Sequence, residues 1–210
     1  MRRTYFIEKN LNVLMMIALL VSLTFAFVAE GFAAADNVRN ECLRLHVLAN
    51  SDSESDQSVK LLVRDALLAA GASFFSGNTD AREATQRINE NIDYMEEVAE
   101  RVLRENGFLY ECEIEITEEY FETREYEGVK LPAGKYNACK VILGEGKGKN
   151  WWCVMFPPLC LPATVKNSED VYAVFGENGG SLITEKGGYV MRFKIIEIVE
   201  EVLEAIKNSR

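Results

Sequence analysis

Residues 11–29, LNVLMMIALLVSLTFAFVA, carry no charged side chain. At about 19 residues the run is close to the ~20 that a helix needs to cross a bilayer. Arg2, Arg3 and Lys9 precede it, and Ala33, Ala34 and Ala35 follow just before Asp36. A basic start, an apolar middle and a small-residue A-x-A site form a secretory signal. The same run also suits an uncleaved signal anchor. Either way the basic end stays in the cytoplasm and the remainder lies outside. The chain therefore divides into residues 1–35, signal peptide or signal anchor, and residues 36–210, an exported domain. The later apolar runs are short or broken by charge, so no second span is expected.

The whole chain has 210 residues, of which 48% are apolar, enough for one sizeable core. Its net charge is −10. Nucleic-acid binding is not expected, because phosphate contact needs clustered positive charge. A single His excludes any site that takes two imidazoles from one chain. There are five Cys and no CxxC, so zinc-ribbon and thioredoxin motifs are absent. Export allows disulfides, and the odd number leaves at least one thiol free or paired between chains.

Along the exported part, ECLRLHVLA at 41–49 alternates. Leu43, Leu45, Val47 and Ala49 make one apolar face, so a strand resting on a core is expected. NSDSESDQ then turns polar, and Ser53 with Asp56 three residues later resembles a capping box. A helix follows with Val59, Leu62, Val63, Ala66, Leu67 and Ala70 on one stripe. Thr79 or Asp80 is placed to cap the next helix, whose apolar stripe runs from Ala84 to Leu103 with a break near Asn89 to Asn91. ECEIEIT at 111–117, YNACKVIL and WWCVMF read as strands, and a stripe from Phe193 to Ile206 reads as a final helix. The order predicts an α+β fold. It is a single domain with a mostly antiparallel sheet packed against helices, preceded by an N-terminal signal helix.

No coherent catalytic set emerges, and neither a metal site nor a cofactor is expected. GEGKGKN at 144–150 lacks the Gly and Ser/Thr positions of a phosphate-binding loop in either register. It reads as a flexible hairpin loop, or as a recognition loop in which Gly144, Gly146 and Gly148 free the backbone and Lys147 and Lys149 stand out. Trp151 and Trp152 are adjacent, so on a strand they face opposite sides. One suits the core, and the other suits the core's far side or an interface anchor. Cys153 and Cys160 flank a Pro-Pro turn and form a disulfide candidate, the alternative being two small buried hydrophobes. A hydrolase reading would pair Cys153 with His46 as nucleophile and base. The polar run at 50–53 fits a turn with a helix cap, and equally a displayed binding loop.

Two blocks, LRLHVLANSDSESDQSVKLLVRDALL at 43–68 and LPAGKYNACKVILGEGKGKNWWCVMFPPLC at 131–160, resemble the stage II sporulation protein R family. The resemblance implies a signalling protein and not an enzyme. Such a protein is made in the forespore and exported to the intermembrane space between forespore and mother cell. There it activates a membrane-embedded aspartic protease, stage II sporulation protein GA, which processes pro-sigma-E. The partner is then that protease, with membrane contact only through an uncleaved N-terminal segment. The family carries over no catalytic residues. From the two loops themselves, Asn50, Asp52, Lys147, Lys149 and Asn150 are expected to face the receptor, with Trp151 or Trp152 as anchor. The competing class is an exported cysteine hydrolase acting on the cell envelope.

Overall fold

A computed structural model describes residues 2–75, 80–126 and 129–157, with isolated positions between 175 and 206. The first element is a single helix, α1 (Arg2–Asn40). It does not stop at residue 35 but continues one turn further into the domain. Strand β1 (Leu43–Leu48) follows, then helices α2 (Glu54–Ala72), α3 (Ala81–Glu90) and α4 (Ile92–Glu105). The chain returns as β2 (Cys112–Phe121), the short strands β3 (Arg124–Tyr126) and β4 (Val129–Leu131), then β5 (Gly134–Leu143) and β6 (Asn150–Phe156). This is a single α+β domain behind an apolar N-terminal helix.

Helix boundaries follow local chemistry. The Ser53 side chain accepts from the Asp56 N–H and caps α2, while Glu54 and Asp56 lie in its first turn, where the helix dipole favours anions. Asp80 caps α3 by accepting from the Glu83 N–H; Thr79 lies outside the described residues. The long stripe breaks at Asn91, which ends α3 and starts α4 without a side-chain cap.

The four-stranded sheet has the order β2-β5-β1-β6. β2 and β6 run antiparallel to their neighbours, and the central pair β1–β5 is parallel. β3 and β4 form a separate hairpin. Helices α2, α3 and α4 cover one face, burying Leu45, Val47, Val63, Leu67, Ile88, Met95, Leu103 and Val141 in one cluster. This layering puts helices on one side of a mostly antiparallel sheet.

The opposite face departs from expectation. β1 was expected to bury one face only, yet Arg44 and His46 on its other face are also buried. Their cover is a second cluster built from Ala34, Ala35, Val38 and Cys42 at the end of α1, with Phe121, Leu131, Tyr136, Ala138 and Val154. Polar residues in a strand pattern read as a wet face, and that reading fails when distant segments close over them. The predicted final helix and the segments after 157 fall almost wholly outside the described residues.

Candidate functional site

The end of β1 and the β5–β6 turn lie against each other. The Gly148 N–H donates to the Ala49 carbonyl (2.8 Å), and the Lys147 N–H to that of Asn50 (3.3 Å). The Asn50 side chain reaches back: its Oδ1 accepts from the Glu145 N–H at 2.9 Å, and its Nδ2 donates to Asp56 at 3.0 Å. Asp52 Oδ1 accepts from the Lys149 N–H at 2.7 Å. Lys60, buried on α2, donates from Nζ to the Lys149 carbonyl at 2.8 Å. The two loops form a clasp at the end of the central strands β1 and β5.

Two glycines explain why the turn can lie so flat. A Cβ on Gly148 would fall 2.2 Å from the Ser51 carbonyl oxygen, a backbone atom. Gly144 has φ +57, and its Cβ would meet Asn50 Oδ1 at 2.4 Å. The expectation of a freely moving glycine loop is therefore corrected: these glycines permit close approach, and the loop is held.

Asp56 fastens the other side of the clasp. It accepts from Ser51 Oγ at 2.5 Å, Asn50 Nδ2 at 3.0 Å and Tyr110 Oη at 2.9 Å. Burial pushes its carboxyl upward in pKa, but the hydrogen bonds from Ser51, Asn50, Tyr110 and Ser53 outweigh this and hold it below the usual aspartate value. Burial pulls the Lys60 ammonium below its ordinary range; Asp52 opposes this, and Lys149 and Arg64 add to it.

Beside the clasp lies an open groove of about 900 Å³. Its walls are Thr123, Arg124, Glu125 and Tyr126 on one side and Lys149, Asn150, Trp151 and Trp152 on the other. The Trp pair splits as strand geometry requires. Trp152 stacks on His46, with ring centroids 3.7 Å apart, and meets Phe121 edge-on. Trp151 is 37% exposed, with the Arg64 guanidinium 4.5 Å above its ring. Arg64, Arg124 and Lys149 thus surround an aromatic surface on an otherwise acidic protein.

The site residues named from the sequence therefore separate into groups. Lys149, Asn150, Trp151 and Trp152 come together on the groove. Asn50 and Asp52 each accept from the backbone of the facing loop and set its shape, and Asp52 stays exposed. Lys147 pairs with Glu145 in solvent, 2.7 Å apart. Arg124 and Tyr126 were not anticipated, because a three-residue strand of mixed charge gives no signal until it is seen beside β6. Tyr126 Oη lies 2.8 Å from Arg44 and 3.3 Å from the Trp152 carbonyl, which fixes that wall.

The Cys153–His46 dyad does not form. Cys153 sits in the helix-covered cluster, whereas His46 is on the opposite sheet face, its Nδ1 2.7 Å from Glu119 Oε2. Cys153 is disulfide-bonded, so it offers no thiolate. Cys160 lies outside the described residues. Cys42, Cys112 and Cys139 are free and buried. Burial pushes the thiols of Cys42 and Cys139 up to about 12, which leaves them unreactive at neutral pH. Non-reducing peptide mass spectrometry is expected to recover Cys153 linked to Cys160; free thiol at both positions would refute that pairing. Reduction should lower stability by about 2–3 kcal/mol, the value for so short a loop. Among the described residues, no group of three or more His, Cys, Asp or Glu is placed to hold a metal ion.

Fold and site together define a small α+β domain that follows an apolar helix and presents an aromatic, basic-rimmed groove. The chain belongs to the stage II sporulation protein R family, whose family model matches residues 39–166. That stretch contains the clasp and the Trp pair. The chain is also similar to stage II sporulation protein R of Bacillus subtilis (strain 168), with 33% identity over 138 residues. The match covers 63% of this chain and 62% of that protein. No solved structure matches.

Proposed function

We propose that this chain is an exported signalling protein of sporulation. On this reading it is made in the forespore and acts in the space between forespore and mother cell. There it activates the membrane-embedded aspartic protease, stage II sporulation protein GA, that processes pro-sigma-E. The observation that carries the reading is the family match across residues 39–166, which includes the whole clasp and both walls of the groove. The separation of Cys153 from His46 removes the one dyad on which the cysteine-hydrolase alternative rests.

The mechanism is a shift in population. A ligand switches on a protease only by binding its active arrangement more tightly than its inactive one. The groove supplies suitable contacts: Trp151 as a half-exposed anchor, with Lys149 and Arg124 for an acidic or carbonyl-rich partner surface. Co-expression with the protease and pro-sigma-E in a non-sporulating host tests this. Processing that depends on this chain is the expected result. Efficient processing without it, or none with it, would overturn the reading.

The groove itself is tested by Trp151→Ala combined with Lys149→Glu. Both side chains are exposed, so melting should shift little, by about 1 kcal/mol or less. Activation should nonetheless fall at least tenfold, because a lost aromatic anchor and a reversed contact charge each cost more than that in binding. A folded, exported double variant with full activity would place the contact surface elsewhere.

A further inference from the structure

We infer that the groove between β3 and β6 takes an extended, acidic segment of a partner protein, with a carboxylate seated beside the Tyr126 hydroxyl that Arg44 holds. The inference rests on the proposed role of this groove as a contact surface, and it names the chemistry that the contact recognises.

The chain carries 33 acidic and 23 basic residues, so its cations have carboxylates in excess. Away from the groove they use them: Lys135 pairs with Glu118, Lys140 with Glu115, Arg87 with Glu83 and Arg104 with Glu100. On the groove two cations do not. Among the described residues the exposed side chains of Arg124 and Lys149 make no ion pair, although Glu125 lines the same groove. Behind the wall lies a third cation without a carboxylate. Arg44 is fully buried, its Nη2 donates to Tyr126 Oη, and Tyr126 lines the groove. Arg44 Nη1 has no hydrogen-bond partner among the described residues. A buried charge is costly unless an opposite charge offsets it, and attraction is strongest where water is excluded. A carboxylate in the groove is drawn by Arg44 across a single tyrosine, and supplies a counter-charge that none of the hydrogen bonds to this guanidinium provides.

The shape selects a chain and not a small anion. Residues 123–126 and 149–152 form facing walls. At about 3.3 Å per residue each wall is roughly 13 Å long, the reach of four extended residues. The exposed Asn150 amide makes no side-chain hydrogen bond among the described residues, and it offers the donor and acceptor that a peptide bond needs. Trp151 sets an apolar face beside it. A lipid headgroup or free phosphate would engage the cations but neither the amide nor the length.

Both tryptophans of the chain line the groove, so tryptophan emission reports on it directly. The test titrates the protein, expressed from the full-length gene and purified as an exporting host delivers it. The probe is an N-acetylated, C-amidated heptapeptide of alternating glutamate and alanine, and the control has glutamine in place of glutamate. The glutamate peptide is expected to move the emission with a Kd about tenfold below that of the control. The preference should vanish in about 1 M salt, where the Debye length is ~3 Å. Arg124→Glu and Lys149→Glu should each weaken the glutamate peptide about fivefold while melting as the parent does. Equal binding of the two peptides, or of neither at millimolar concentration, would overturn the inference. So would emission that responds to phosphatidylglycerol vesicles or sodium phosphate but not to the glutamate peptide. No protease takes part, so failure here leaves the signalling role to the pro-sigma-E assay. Conversely, glutamate-selective binding without pro-sigma-E processing would sink that role and keep the groove's chemistry.

Discussion

Replacing Arg44 with alanine is expected to cost the domain about 3–5 kcal/mol, the range for removing one member of a buried polar arrangement and leaving a cavity. Arg44 is fully buried. Its Nε donates to the Cys153 carbonyl at 3.0 Å and its Nη2 to Tyr126 Oη at 2.8 Å. The guanidinium carbon lies 4.2 Å from the Phe121 ring centroid and 4.8 Å from that of Tyr136. Among the described residues none of its hydrogen bonds is to a carboxylate, and π faces and neutral oxygens surround the charge. Alanine removes the donors to the Cys153 carbonyl and to Tyr126 Oη, leaving Tyr126 its bond to the Trp152 carbonyl. Lysine should not rescue it, because an ammonium lacks the planar fork that serves two acceptors at once. For a domain of this size each kcal/mol moves Tm by about 2–4 °C, so a fall of roughly 6–20 °C is expected. Melting of Arg44→Ala within 2 °C of the parent would show that the cation is dispensable.

The second large effect is expected at Asp56. Asp56→Ala should lose about 2–4 kcal/mol at pH 7, since three donors, among them the half-buried Asn50 and Tyr110, lose a charged acceptor. The loss should also depend on pH. The folded-state pKa of Asp56 lies below its ordinary value of 3.8. The carboxylate therefore stabilises the fold at all pH values above about 4. That contribution fades as pH drops through the lower folded-state value. Parallel urea titrations of parent and variant should show a constant gap from pH 7 to about 5 and a shrinking gap below about 4. A gap that stays constant down to pH 2 would mean that Asp56 acts through packing and not through its charge.

Local signals in the sequence were sufficient where the structure is local. Ser53 and Asp56 announced the start of α2, the Asn91 break lay inside the expected window, and alternation marked β2 and β5. Alternation misled at β1. Arg44 and His46 have the spacing of a solvent-facing row, but Tyr126 is 82 residues from Arg44 and Glu119 is 73 from His46. No window of sequence contains such pairs. The same limit governed the site. Lys149, Asn150, Trp151 and Trp152 stood out by composition, and the groove collects them. Asn50 and Asp52 stood out as short polar side chains before a helix, but their bonds to backbone N–H groups in a loop nearly a hundred residues away were not legible. Ala34 and Ala35 are buried at the end of α1, a contact that their small-residue pattern did not announce.

The clasp has a consequence for how the surface can be imitated. The Asp52–Lys149 hydrogen bond joins positions 97 residues apart, and the Lys60–Lys149 bond joins positions 89 apart. Closing such distant contacts carries an entropic cost that only the assembled sheet offsets. A synthetic peptide copying residues 144–152 would hold the lysines and both tryptophans yet lack Asp52, Lys60, Arg64 and His46, which shape Lys149 and the tryptophans. It should be inert as an agonist and a poor competitor. On the proposed signalling reading, nascent or partly unfolded copies would be silent for the same reason, and the groove would double as a certificate that the chain displaying it has finished folding.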